Sequence, residues 1–333
     1  MQSANSGFSA AWWCRNRHLQ TLWPYLFRRA RLPALQHIDL ETPDNDTFRL
    51  SISAVNTGPT VLILHGLEGR LQSHYARAMV TACHQRGWRA AFMHFRGCDG
   101  RPNRKWRSYH AGEMNDPALA IRFLKERFPT SPLMVVGYSI GGSALLNLLA
   151  RHPVAVEVLA AAAVSVPYDL ADAANVLDRG FSKLYQWRLL ASLKRKIIQK
   201  QKFLPVHEPP LECRHWNSFW RFDNQITAPL HGFGNVDNYY AQSSAKQYLS
   251  QIATPTLLIH ASDDPFMSHR SIPRQEELPD AIELELTEHG GHVGYVCGNL
   301  PLWPDYWLET RLCQYFAQKL IDIEGPTTAG PSR

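Results

Sequence analysis

A serine, a pair of aspartates and a histidine lie far apart in this chain, each in a setting where its side chain could serve nucleophilic catalysis. Ser139 occupies Gly137-Tyr138-Ser139-Ile140-Gly141, a G-x-S-x-G pattern that follows an apolar run and opens a helical one. A strand, a sharp turn and a helix are the context a nucleophile elbow requires. The two glycines leave room for a strained turn that side chains would block. A serine hydroxyl is a weak nucleophile until a base takes its proton, and the base needs an acid to orient it. Asp263 and Asp264 follow the apolar run Thr256–His260, and His292 follows Ile282–Thr287 in Glu288-His289-Gly290-Gly291-His292. Both fall after strand-like segments, in the order serine, acid, histidine that accompanies such an elbow. Asp264 precedes Pro265, which biases its backbone to the extended region, so Asp264 is the expected acid. Asp263 is the expected cap of its own turn.

Acyl transfer through a tetrahedral intermediate also needs donors for the oxyanion. The N–H of Ile140, directly after the serine, is one candidate. The other is the N–H of Leu67, in His65-Gly66-Leu67-Glu68-Gly69 after the early run Thr60–Leu64. His289 and His292 have an H-x-x-H spacing, but no further ligand cluster accompanies them, so neither metal nor organic cofactor is expected. His94 and Asp99 form an H-x4-D spacing that reads as incidental.

The elements that must position these residues alternate along the chain. His37–Thr42 and Phe48–Val55 flank the turn sequence Pro-Asp-Asn-Asp and predict an antiparallel hairpin. The runs 60–64, 88–95, 133–137, 156–165, 256–260 and 282–287 predict buried strands. Helical patterns lie between them at 75–86, 117–128 and 142–152, and a last helix is expected from about Pro304 to Ile323. Short apolar strands alternating with helices imply an α/β fold with a mostly parallel central sheet covered on both faces. Residues 167–250 break the alternation and predict a helical cap insertion. The expected organisation is an aromatic arm over 1–36, a core over 37–166 and 251–324, the cap over 167–250, and a disordered tail over 325–333.

Bulk properties exclude several classes. The chain has 333 residues, 45% of them hydrophobic and 19% charged, so a large core is available and disorder is excluded as the general state. No run approaches the ~20 apolar residues of a membrane span, and the first residues do not read as a signal peptide. Six scattered cysteines (14, 83, 98, 213, 297 and 313), with no C-x-x-C pair, fit reduced thiols and a cytoplasmic location. A net charge of +6 and basic runs at 101–107 and 193–202 lack any nucleic-acid motif, so no nucleic-acid partner is expected. The aromatic arm reads as packed on the core rather than as a membrane contact. The basic run 193–202 reads as a solvated cap face rather than a lipid site.

The order of these parts resembles the α/β-hydrolase superfamily across Thr60–Ile323. Three stretches resemble its YheT-type branch more narrowly: Asn16-Arg17-His18-Leu19-Gln20-Thr21, Phe95-Arg96-Gly97-Cys98 and Tyr109-His110-Ala111-Gly112-Glu113. His94 stands before Phe95-Arg96-Gly97 where that branch more usually has Asn. The resemblance implies a Ser139–His292–Asp264 triad and hydrolysis of a small-molecule or lipid carboxylic ester through an acyl-enzyme. A thioesterase or an acyltransferase would use the same residues. A non-catalytic binding protein on the same fold is the reading from another class.

Overall fold

The computed structural model describes residues 7–55, 57–205, 216–301 and 303–324. The tail 325–333, expected to be disordered, lies outside the described residues, as do residues 1–6 of the arm and 206–215 of the insertion.

Chain order begins with helix α1 (Arg17–Phe27) and the antiparallel pair β1 (Leu35–Glu41) and β2 (Thr47–Ser53). Then follow β3 (Thr60–Leu64), α2 (His74–Gln85), β4 (Arg89–His94), α3 (Asn115–Arg127), β5 (Leu133–Tyr138), α4 (Ile140–Arg151) and β6 (Ala160–Val164). From there to β7 (Thr256–Ala261) the described residues carry helices α5 (Leu170–Leu177), α6 (Ser182–Lys200), α7 (Phe219–Phe222), α8 (Ala228–Leu230) and α9 (Val236–Ser243) and no strand. β8 (Ile282–Thr287), β9 (Val296–Leu300), β10 (Trp303–Tyr306) and α10 (Trp307–Glu324) complete it.

Eight strands form one sheet in the order β1-β2-β4-β3-β5-β6-β7-β8. β2 pairs antiparallel with both β1 and β4, and every pair from β4 to β8 is parallel. The continuous apolar character of the central runs follows from burial on both faces. Alternate residues serve opposite layers: Leu62, Leu64 and Val135 pack toward α3 and α4, whereas Val61, Ile63 and Val136 pack toward α2 and α10. Period-two alternation thus feeds two cores from one strand.

Two sequence expectations need correction. The last helix starts at Trp307 rather than near Pro304, because Trp303–Tyr306 pairs with β9 as a small hairpin bulged between Trp303 and Asp305. Proline is tolerated at such a bulge because its missing N–H leaves no ladder bond unmade. The run 156–165 is strand only over Ala160–Val164, its start being a 3-10 turn at Pro153–Glu157.

Helices α5–α9 carry an apolar cluster of their own, including Leu170, Leu177, Tyr185, Leu190, Ile197, Trp216 and Phe222. It reaches Leu22 of α1 and, at the sheet, Leu67 and Ile140. Between α7 and α8 the chain continues as one wide π-type turn over Asp223–Thr227.

Candidate active site

Ser139 follows β5 and caps α4, with φ 52° and ψ −122°. Few side chains adopt a positive φ, and the surroundings here hold it in place. The Ser139 N–H donates to the Val164 carbonyl at 2.8 Å. A Cβ at position 137 would lie 2.6 Å from the Gly141 carbonyl oxygen, and one at position 141 would lie 2.4 Å from that of His65. Both glycines of the G-x-S-x-G pattern are therefore required by close backbone approach.

His292 Nε2 lies 3.0 Å from Ser139 Oγ, and His292 Nδ1 lies 2.8 Å from Asp264 Oδ2. With the buried carboxylate as acceptor, Nδ1 carries the proton and Nε2 turns a lone pair to the serine hydroxyl. The other Asp264 oxygen accepts the Phe266 N–H at 2.8 Å. Phe266 stacks flat on the His292 ring, with centroids 3.8 Å apart. Behind the carboxylate, burial lowers the His260 pKa to about 4, so this ring is neutral 3.9 Å from Asp264 Oδ2.

Asp263 takes a different part from the turn cap expected of it. Its Oδ1 accepts the Gly291 N–H at 2.9 Å, and its Oδ2 lies 3.4 Å from His289 Nδ1. It holds the histidine loop, while Asp264 caps the turn as well as meeting His292. His289 points to Asp263 rather than to a shared site with His292. Among the described residues no group of three or more His, Cys, Asp or Glu converges as metal ligands.

Ile140 opens α4, so its N–H is one of the helix-start donors that lack an intrahelical acceptor. Leu67 lies between two occupied amides: Gly66 N–H donates to Tyr75 Oη at 3.0 Å and Glu68 N–H donates to Tyr109 Oη at 2.8 Å. The Leu67 N–H has no partner among the described residues. A Cβ on Gly66 would fall 3.2 Å from Ser139 Cβ, so this loop borders the serine. Burial lowers the His65 pKa to about 3 and keeps the ring neutral. Its Nδ1–H then donates to the Gly66 carbonyl at 2.6 Å and its Nε2 accepts the Phe95 N–H at 3.1 Å. His65 braces the loop and has no base role there.

Several contributors escape a reading of the sequence alone. Thr21 Oγ1 accepts the His292 N–H at 3.0 Å and donates to the Arg17 carbonyl at 2.8 Å. The Gln20 amide, fully buried, donates to the Val296 carbonyl at 3.0 Å and accepts the Val296 N–H at 2.7 Å. Asn16 caps α1 by accepting the His18 and Leu19 N–H groups. The Asn16–Thr21 motif is thus a clamp on the histidine loop. Gly291 must lack a side chain because a Cβ there would lie 2.6 Å from the Arg17 carbonyl oxygen. Ser165 Oγ accepts the Val293 N–H at 3.1 Å from the other side.

The two later motifs also have partners. Arg96 is buried and doubly bonded to Asp116, with both bonds 2.7 Å, and reaches Asp44 at 2.7 Å. Glu113 Oε1 accepts the Asn115 N–H at the start of α3. Tyr109 donates to Glu68 Oε1 at 3.1 Å, and Glu68 also takes Ser192 Oγ at 2.7 Å and Lys196 Nζ at 2.6 Å from α6. The loop carrying Leu67 is therefore tied to the helices above it. His94 bonds Ser51 Oγ of β2 at 2.8 Å, a contact within the sheet.

A cavity of about 140 Å³ opens from Ser139 and His292 beneath α5–α9. Its lining is mainly apolar, with Leu170, Leu193, Phe219, Phe222, Ile226 and Phe266 among its walls. Asp223 also lines it, accepting Thr227 Oγ1 at 2.6 Å and Tyr240 Oη at 2.8 Å. Desolvation raises the Asp223 pKa to about 6.

Comparison with known proteins agrees with this architecture. A family model described as alpha/beta hydrolase fold matches residues 59–297. The chain is 44% identical over 305 residues to the proposed esterase YheT of Escherichia coli (strain K12), covering 89% of each. It is 27% identical over 288 residues to phospholipase ABHD3 of Mus musculus, covering 86% of this chain and 69% of that one. The structure of the Pyrococcus furiosus esterase Pf2001 superposes with a TM-score of 0.59 at 18% identity, across 86% of this chain and 91% of that one, a likeness of fold. By its matching family model and its 44% identity to YheT, this chain belongs to the alpha/beta hydrolase fold family, on the YheT-type branch.

Proposed function

We propose that this protein is a serine hydrolase that cleaves carboxylic esters through an acyl-enzyme on Ser139. The observation that carries the reading is the relay from Asp264 through His292 to Ser139, with bonds of 2.8 and 3.0 Å, on a serine held at positive φ. His292 Nε2 takes the hydroxyl proton as Oγ attacks the ester carbonyl. Asp264 keeps the imidazole in the required tautomer and stabilises the imidazolium. The Leu67 and Ile140 N–H groups receive the developing oxyanion, and each such donor is worth about 10²–10³ in rate. His292 returns its proton to the leaving alcohol, then activates the water that releases the acid. No step draws on a metal or an organic cofactor.

The apolar cavity beside Ser139 favours an ester with a hydrocarbon acyl group, and the relatives named esterase and phospholipase support ester cleavage. Ser139→Ala tests the reading, since alanine fits the elbow. Turnover of a chromogenic acyl ester is expected to fall by about 10⁴ or more, with an unchanged thermal melting temperature. Turnover near that of the unaltered protein would remove Ser139 as nucleophile.

A further inference from the structure

The aromatic arm packs only in part. Trp13 and Trp23 meet edge to face, with ring centroids 4.8 Å apart, and Gln20, Thr21 and Pro24 are buried. Leu19, Tyr25 and Leu26 on α1 remain 46–51% exposed, and beside them Phe181, Leu184 and Trp187 are 50–69% exposed. The two helices lie side by side. The His18 ring meets Phe181 at 4.3 Å and its Nδ1 lies 3.1 Å from Tyr185 Oη, while the Arg188 guanidinium covers the Tyr25 ring at 4.6 Å. A joined face of this kind on a water-soluble surface marks an interaction site.

The two chain segments that supply this face carry charge of one sign. Arg15–His37 contains five arginines and no acid, and Arg179–His207 contains eight Lys or Arg and no acid. Several of these cations have internal partners: Arg28 with Glu309, Lys196 with Glu68, Lys200 with the carbonyls of residues 105–107, Arg188 with the Tyr25 hydroxyl and Arg29 with the Arg28 carbonyl. Arg15, Arg17, Arg29, Lys183 and Arg188, on the same two segments as the apolar residues, are exposed. Exposed large apolar side chains together with exposed cations, on a helix of 19 residues, are the composition of an element that lies in a membrane interface. No helix of the described residues is long and apolar enough to cross a membrane, so the geometry fits lying on a bilayer rather than spanning it.

We propose that α1 and the first half of α6 form a docking surface for an anionic lipid bilayer. The surface is joined to the chemistry: Phe181, Tyr185, Phe266 and His292 follow one another at centroid distances of 5.9, 4.9 and 3.8 Å. On the ester-hydrolase reading, docking here would present the active-site loop to esters held in the bilayer.

Co-sedimentation of the full chain with vesicles tests the surface. Binding is expected to vesicles of equal parts phosphatidylcholine and phosphatidylglycerol, weakening at high salt, and to be at least about tenfold weaker for phosphatidylcholine alone. Leu26→Glu/Leu184→Glu is expected to lower binding at least about tenfold, with turnover of a water-soluble ester unchanged. Arg15→Gln/Lys183→Gln, which leaves the apolar side chains in place, is expected to reduce the preference for anionic vesicles. A chain that sediments as described but cleaves no ester keeps the docking surface and removes the catalytic reading. The proposal is overturned if the unaltered protein ignores both vesicles or if the Leu26→Glu/Leu184→Glu protein binds as well. It is equally overturned if the face instead pairs two copies in solution, or binds RNA in place of lipid.

Discussion

At the scale of single residues, the proposed triad makes a sharp demand on two adjacent carboxylates. Asp264 meets His292 Nδ1, and Asp263 meets the backbone N–H of Gly291. Asp264→Asn is expected to lower kcat by about 10⁴, because an amide favours the wrong imidazole tautomer. Asp263→Asn keeps an acceptor for Gly291 and should cost less than about tenfold, a loss of order one hydrogen bond's strength. Kinetics of both variants on one chromogenic ester check this, and the reverse ranking would assign the acid to Asp263. These residues were legible because each stands beside a local signature: two glycines about the serine, a proline after the aspartate, a glycine pair before the histidine. Thr21 was not legible. It stands in a stretch that resembles the YheT-type branch, but its partner is 271 residues away, and nothing local gives that contact.

At the scale of elements, α1 reads from the sequence only as part of an arm packed on the core, and its hold on the histidine loop is an addition from the structure. Thr21→Val keeps the shape but leaves the part-buried His292 N–H without this acceptor. The expected result is a fall in kcat of about 10- to 100-fold, since small misplacements of a catalytic group cost that much, with KM nearly unchanged. Thr21→Ser keeps the hydroxyl and should recover most of the rate, which a purely structural role would not require. Steady-state kinetics of the pair decide it, and unchanged kcat in the valine variant would contradict the clamp. The strands were legible for a related reason: burial on both faces demands unbroken apolar runs such as Val61–Leu64. The hairpin of β9 and β10 was not, because Val296–Leu300 carries Gly298 and Asn299 and Trp303–Tyr306 contains Pro304, a poor strand composition that tertiary packing overrides.

At the scale of the molecule, the helices between β6 and β7 enclose a mainly apolar cavity against the sheet and place one acid in its wall. A carboxyl whose pKa is raised on folding binds its proton more tightly in the native state. Native Asp223 titrates at about 6, above the usual carboxylate range. Its contribution to stability therefore falls as pH rises from about 4 to about 6 and stays low above that. Asp223→Asn removes this dependence, so its melting temperature relative to the unaltered protein should rise across that window. Thermal melts of both proteins at a series of pH values check this, and a constant difference would contradict it. That the described residues of 167–205 and 216–250 form helices and no strand could be read from the missing strand runs, but the inward turn of Asp223 could not, because it depends on the wide turn at Asp223–Thr227. The central claim, that Ser139 is an activated nucleophile served by His292, is tested most directly by a fluorophosphonate probe read by peptide mass spectrometry. One adduct on the peptide bearing Ser139 is predicted for the unaltered protein, with labelling lost in Ser139→Ala and strongly slowed in His292→Ala. No adduct on the unaltered protein, or an adduct on another residue, would contradict the account.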